Sequence, residues 1–193
     1  LLKLKVQTIY RPLSEKFSGM SLKSGDSRFM LINSNNSRCR QHFTIAHELY
    51  HLYFDQNPTP HNSSIEGQKS DIEQCADAFA LMFLMPADGV RQLIPDNELV
   101  SGSVSLASIL RIEHYFSVSH RAALNRLFDL KLIDRTDYDT LKEFPVKKTA
   151  REYGYDTSLY EPGNENLVIG NFGEKARKLF EEETISEGHD LEL

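Results

Sequence analysis

Cysteine is nearly missing from this chain. Only Cys39 and Cys75 occur, too few for a disulfide framework, so both are expected as free thiols in a reducing compartment. Basic residues are also in deficit, with 22 Lys and Arg against 28 Asp and Glu and a formal net charge of -6. That balance argues against broad, non-specific binding to phosphate backbones, which relies on cations displacing counterions, and leaves room only for a local basic patch. Long apolar runs are absent as well: the longest, residues 76–86, is interrupted by Asp77 and falls well short of the roughly 20 residues that span a bilayer. Residues 1–10 alternate lysine with apolar side chains and lack the long apolar stretch and cleavage site of an export signal. A cytoplasmic address without membrane association is therefore expected. The first residue is Leu and not Met, as expected of a piece of a longer reading frame. The rest of the composition, 40 % apolar and 26 % charged over 193 residues, suits a folded chain able to bury one sizeable core.

Residues 6–10 alternate like a half-buried strand, and residues 19–22 and 28–32 flank Ser24-Gly25-Asp26, a hairpin turn. The first forty residues are thus expected to form a small antiparallel sheet. From about Gln41 the period turns helical, with Phe43, Ile45, Ala46, Leu49, Leu52 and Tyr53 apolar up to Phe54. Residues 57–64, with two prolines, two asparagines and two serines, read as an exposed loop. Asp71 is the expected N-cap of a second helix running to Pro86. Residues 103–116 and 119–130 form a further helical pair, and residues 172–183 one more amphipathic helix before a polar tail. This divides the chain into a region 1–100, a helical hairpin 101–145 and a C-terminal segment 146–193 with one helix, joined as one compact unit.

The segment His47-Glu48-Leu49-Tyr50-His51 is an H-E-x-x-H sequence inside the first expected helix. Residues four apart lie on one helical face with Cβ atoms about 5–6 Å apart, so two imidazoles there can grip one ion. Glu48 stands one residue around from His47, beside the metal and not on it, where its carboxylate can take a proton from water. A shuffled chain of this composition would contain such a match roughly 2 % of the time, so a second observation is needed. Catalytic zinc wants three protein ligands and an open position, which calls for a donor from another element. Glu73, at the start of the second helix, meets that need. Asp77, one turn further on, is placed to hydrogen-bond a ligand from behind. Taken alone, both carboxylates would read as solvated helix charges; beside H-E-x-x-H they read as ligand and support.

The run His42-Phe43-Thr44-Ile45-Ala46-His47-Glu48-Leu49-Tyr50-His51-Leu52, followed by Glu73, Ala76-Asp77, Phe79-Ala80 and Leu84-Met85-Pro86, resembles the ImmA/IrrE family of metallo-endopeptidases. A weaker likeness extends through Val118-Ser119 and Arg126-Leu127. The resemblance implies an α+β, zincin-like fold, zinc on His47, His51 and Glu73, and Glu48 as the catalytic glutamate. It further implies a bacterial or mobile-element setting and a protein substrate, typically a helix-turn-helix repressor. Two positions depart from the family pattern: Tyr50 stands where glycine is usual and is expected to narrow the cleft, and Asp77 stands where asparagine is common, adding negative charge near the metal.

Other residues have weaker claims. His61, His114, His120, Tyr10, Tyr50 and Tyr53 are all possible donors to an oxyanion, and none is singled out. Cys39 and Cys75 are expected to be inert, since Cys75 lies roughly on the far side of its helix from Glu73. Residues 28–33 are either an exposed edge on which an extended substrate pairs or a covered strand. The hairpin 105–130 has a helix-turn-helix outline, but its arginines are offset by Asp129, so a structural hairpin is favoured over DNA contact. The sequence points to a gluzincin-type zinc endopeptidase. Its rivals are a non-enzymatic zinc-stabilised regulator that binds a repressor or DNA, and a metal-dependent hydrolase acting on something other than protein.

Overall fold

The computed structural model describes residues 1–55 and 70–182. Three strands open the chain, β1 (Val6–Arg11), β2 (Gly19–Ser24) and β3 (Ser27–Asn33). β2 and β3 form the expected antiparallel hairpin, with Gly25 at φ 56, the positive φ that primed hairpin turns require. The sheet is nevertheless mixed, because β1 runs parallel to β3, Val6 opposite Arg28. Residues 12–18 carry the chain past β3 before it turns back, and the buried Asn33 fastens that crossover. Its Oδ1 accepts from the Leu13 amide at 2.9 Å, and its Nδ2 donates to the Ser14 and Phe17 carbonyls at 2.8 and 2.7 Å. A fourth strand not anticipated from sequence, β4 (Val168–Ile169), pairs antiparallel with β1 and gives the order β2-β3-β1-β4.

Helix α1 (Arg38–Tyr53) lies on this sheet, its Leu49 and Leu52 packed against Val6, Tyr10, Met30 and Ile32. Helix α2 (Asp71–Leu84) packs along α1. Its N-cap is Ser70 and not Asp71: the Ser70 hydroxyl accepts from the Glu73 amide, leaving Asp71 as the first helical residue. Short helices α3 (Ala87–Gln92) and α4 (Asp96–Ser101) lead into α5 (Leu106–Phe116) and α6 (His120–Asp129), which with α7 (Arg135–Leu141) build a second, helical core. There Met85, Val90, Ile109, Ile112, Leu124 and Leu127 are buried together.

The C-terminal segment contains more than its one expected helix: α8 (Val146–Glu152), a 3-10 turn (Thr157–Tyr160), β4 and then α9 (Phe172–Glu181). It returns to the start of α1, where the fully buried Gln41 donates to the Asn36 and Gly163 carbonyls at 2.8 and 2.9 Å and accepts from Asn164 at 2.9 Å. Burying an amide is tolerated only when its donors and acceptor are met, and here they are. Among the described residues, no helix is long and apolar enough to cross a membrane.

Candidate metal centre

Four-residue spacing on α1 places His47 and His51 on one face, 4 % and 2 % exposed. Their Nε2 atoms are 3.2 Å apart. Glu73, in the first turn of α2, comes to meet them, with Oε2 at 3.2 Å from His47 Nε2 and Oε1 at 3.3 Å from His51 Nε2.

Behind each imidazole stands another carboxylate. His47 Nδ1 donates to Asp77 Oδ1 at 3.0 Å, and His51 Nδ1 to Asp55 Oδ2 at 3.2 Å. Ionised carboxylates only accept, so in the neutral tautomer that makes these bonds the proton sits on Nδ1 and Nε2 presents a lone pair. Two imidazole lone pairs and a carboxylate thus converge, an arrangement that repels itself unless a cation lies between. Metal–ligand bonds of about 2.0–2.1 Å at tetrahedral angles separate neighbouring donors by about 3.3–3.4 Å, close to the separation of the two Nε2 atoms and to the approach of one Glu73 oxygen to each of them, and one atom from each of the three residues can be chosen with all within 4.8 Å of one another. The donor set therefore fits a small divalent ion, and His47, His51 and Glu73 are the residues able to hold it. Burial would lower the His47 pKa, but the Asp77 hydrogen bond and the charges of Glu48, Asp77 and Glu73 outweigh it and raise it. A proton thus competes for the place of the ion.

Glu48 is 1 % exposed and turns toward β2, where the Ser21 hydroxyl donates to its Oε2 at 2.8 Å. Neither Ser21 nor Asp55 was anticipated. Asp55 had a local signal, since it follows His51 by the same four residues that separate the two histidines; Ser21 had none.

Other candidates fall elsewhere. His114, half-buried, and His120, buried, belong to a separate network around Glu113 and Tyr160 and are not in the His47–His51–Glu73 group. Tyr10 is buried in the sheet core, and the Tyr53 hydroxyl donates to the Leu4 carbonyl. Tyr50 packs edge-on against His51 and joins an aromatic stack with Phe54 and Phe79. Both cysteines are free: Cys39 is buried beside Ser37, with burial pushing its thiol pKa up, and Cys75 is exposed. β3 is covered on both sides, so the exposed-edge reading of residues 28–33 is overturned and the terminal strand next to α1 is β2. In the α5–α6 hairpin, Arg126 is buried and donates to the Met85 carbonyl, and Arg121 donates to the Tyr138 hydroxyl. His61 and the loop 57–64 lie outside the described residues.

A search of curated proteins returned no significant match. The family model of the IrrE N-terminal-like domain, peptidase family M78, matches residues 2–128. That span is more than half of the chain, and it holds all three donor residues and the glutamate between the histidines. The chain belongs to the IrrE N-terminal-like family of metallopeptidases.

Proposed function

We propose that the protein is a zinc-dependent endopeptidase acting on a protein substrate, a helix-turn-helix transcriptional repressor. The observation that carries the catalytic reading is the convergence of three lone-pair donors beside a buried glutamate that is not among them. A purely structural zinc site has no need of that extra carboxylate and closes its fourth position with protein. The repressor as substrate is supported by the ImmA/IrrE resemblance.

Zinc held by His47, His51 and Glu73 would supply a Lewis acid that makes water more acidic and polarises the scissile carbonyl. Asp77 and Asp55 fix the two imidazoles in the tautomer that presents Nε2. Glu48 accepts the proton of the attacking water and delivers it to the departing amine, so one carboxylate serves first as base and then as acid. β2 is the sheet edge beside this glutamate, and an extended peptide added there would be held by backbone hydrogen bonds at the reacting groups.

The test separates ligation from proton transfer. The full chain, its zinc content measured, is incubated with helix-turn-helix repressors encoded near its gene, and the fragments are identified by mass spectrometry. Glu48→Gln should keep zinc while cleavage falls by about 10²–10⁴-fold, and His51→Ala should lose zinc and cleavage together. Cleavage by Glu48→Gln at the wild-type rate would overturn the mechanism. A zinc-loaded wild type that cuts no repressor would favour the non-enzymatic regulator.

A further inference from the structure

Strand β2 and helix α1 meet in matched steps. Gly19 faces Thr44: a Cβ built on Gly19 would stand 2.5 Å from Thr44 Cγ2 and 3.0 Å from the Leu31 carbonyl oxygen. Two residues along the strand, Ser21 faces Glu48, four residues along the helix. Two strand residues advance about 6.6 Å and four helical residues about 6.0 Å, so a contact at the first pair brings the second pair into reach. Glycine at the first position permits the approach, and Thr44, 4 % exposed and β-branched, has little room to yield.

The second contact is placed where chemistry is expected. Ser21 is 8 % exposed, and its hydroxyl lies 2.8 Å from Glu48 Oε2, against 3.4 Å for the Glu48 carbonyl. Its single proton therefore goes to the carboxylate. An ionised carboxylate offers about four lone-pair positions, so one bond from Ser21 orients the group without using up its capacity to accept a proton.

We propose that Ser21 is a positioning residue for Glu48: the hydroxyl pins the carboxylate in the orientation that receives the proton of the attacking water, and Gly19 sets the strand height at which it can do so. The inference rests on reading Glu48 as the base. It couples the sheet edge to the proton-transfer group, so the strand that would align the peptide also orients the carboxylate. Ser21 touches neither metal donor nor substrate in this role, and its loss acts on turnover through Glu48.

The test uses the zinc-loaded full chain and a peptide that the wild type selects from a quenched-fluorescence peptide library. Ser21→Ala should keep one zinc per chain and leave KM within about twofold, while kcat falls about tenfold, as expected for losing a hydrogen bond to a charged group. A merely structural serine would not produce that split. Urea unfolding at fixed free zinc gives a second readout. Ser21→Ala should shift the unfolding equilibrium constant about tenfold in the wild-type background and by less than about threefold when Glu48 is already alanine. If the wild type cuts no library peptide, the peptidase reading fails; if it cuts and Ser21→Ala matches its kcat with no coupling to Glu48, the positioning role fails alone.

Discussion

Among the described residues, two clusters of histidine and carboxylate are buried, and they resolve the same difficulty differently. At His120, Nδ1 lies 2.6 Å from Glu113 Oε1 and Nε2 lies 2.8 Å from the Leu141 carbonyl oxygen, so both ring nitrogens face acceptors. Burial would lower the His120 pKa, but the hydrogen bond and charge of Glu113 and the Leu141 carbonyl outweigh it and raise it. One extra proton satisfies the ring, giving an imidazolium against a carboxylate that is fully buried. The other Glu113 oxygen accepts from the Tyr160 hydroxyl at 2.8 Å. The partners of Glu113 diverge, and the cluster ties α5, α6, α7 and the C-terminal segment into one frame. At the candidate metal centre the donors converge instead: His47, His51 and Glu73 approach one another, and Asp77 and Asp55 hold the rings from behind. Divergent bonds are completed by a proton and act as scaffold, whereas convergent lone pairs need a shared cation and form a site.

Removing the scaffold carboxylate should have the larger effect on stability. Glu113→Gln leaves the His120 imidazolium without its counter-charge, and breaking a buried pair from one side costs about 3–5 kcal/mol. Urea unfolding should show that loss, while the zinc content of the protein that remains folded stays at one per chain. Loss of zinc from folded Glu113→Gln would show that the two clusters are not separable.

The carboxylates behind the metal ligands should do the reverse. Asp55→Ala and Asp77→Ala should each weaken zinc binding by on the order of 10–100-fold, about 1.4–2.7 kcal/mol, as losses of ligand-orienting partners do. Asp55 should matter more, because its side chain is 2 % exposed and that of Asp77 28 %, so solvent screens the Asp77 bond. Competition against a chelator of known affinity ranks them. Equal, wild-type affinity in both variants would mean that the histidines need no orienting partner.

What could be read in the sequence follows the range of the contacts. The shared face of His47 and His51 was legible because helical geometry fixes their relation within five residues, and the approach of Glu73 because a third donor was sought near the start of the next helix. Asp55 was missed because it lies just past the end of the helical pattern at Phe54, although it follows His51 by the same four-residue step. Strand alternation revealed β1, β2 and β3, but a period of two carries no information about which strand lies beside which, or in what direction. The parallel pairing of β1 with β3 was therefore hidden, and β4, with two residues, is too short to show a period. Gly19 and Ser21 act through the packing of a strand on a helix, for which no local pattern exists. Glu113 and His120 resembled ordinary polar positions on amphipathic helices, and only the fold shows that they face each other.

The proton that completes the scaffold cluster gives the smallest effect and the sharpest contrast with the metal centre. The folded-state pKa of His120 lies above the ordinary histidine value of 6.5, so the folded chain keeps its proton at pH values where the unfolded chain has released it. Stability from the pair is then complete below about pH 6.5 and declines as pH rises through the folded-state value. Glu113→Gln removes the main cause of the upward shift, so the stability gap between wild type and this variant should be wide below about pH 6.5 and narrow as pH rises through the folded-state value. Urea unfolding of both proteins at saturating zinc measures that gap, and the pH dependence of metal binding is common to both and cancels. His114 does not contribute in the same sense, because burial, opposed by the charges of Glu113 and Asp156, lowers its pKa and keeps it neutral. A gap that stays constant or widens with pH would mean that His120 is not an imidazolium in the folded protein, and the contrast between a proton-completed scaffold and a cation-completed site would fail.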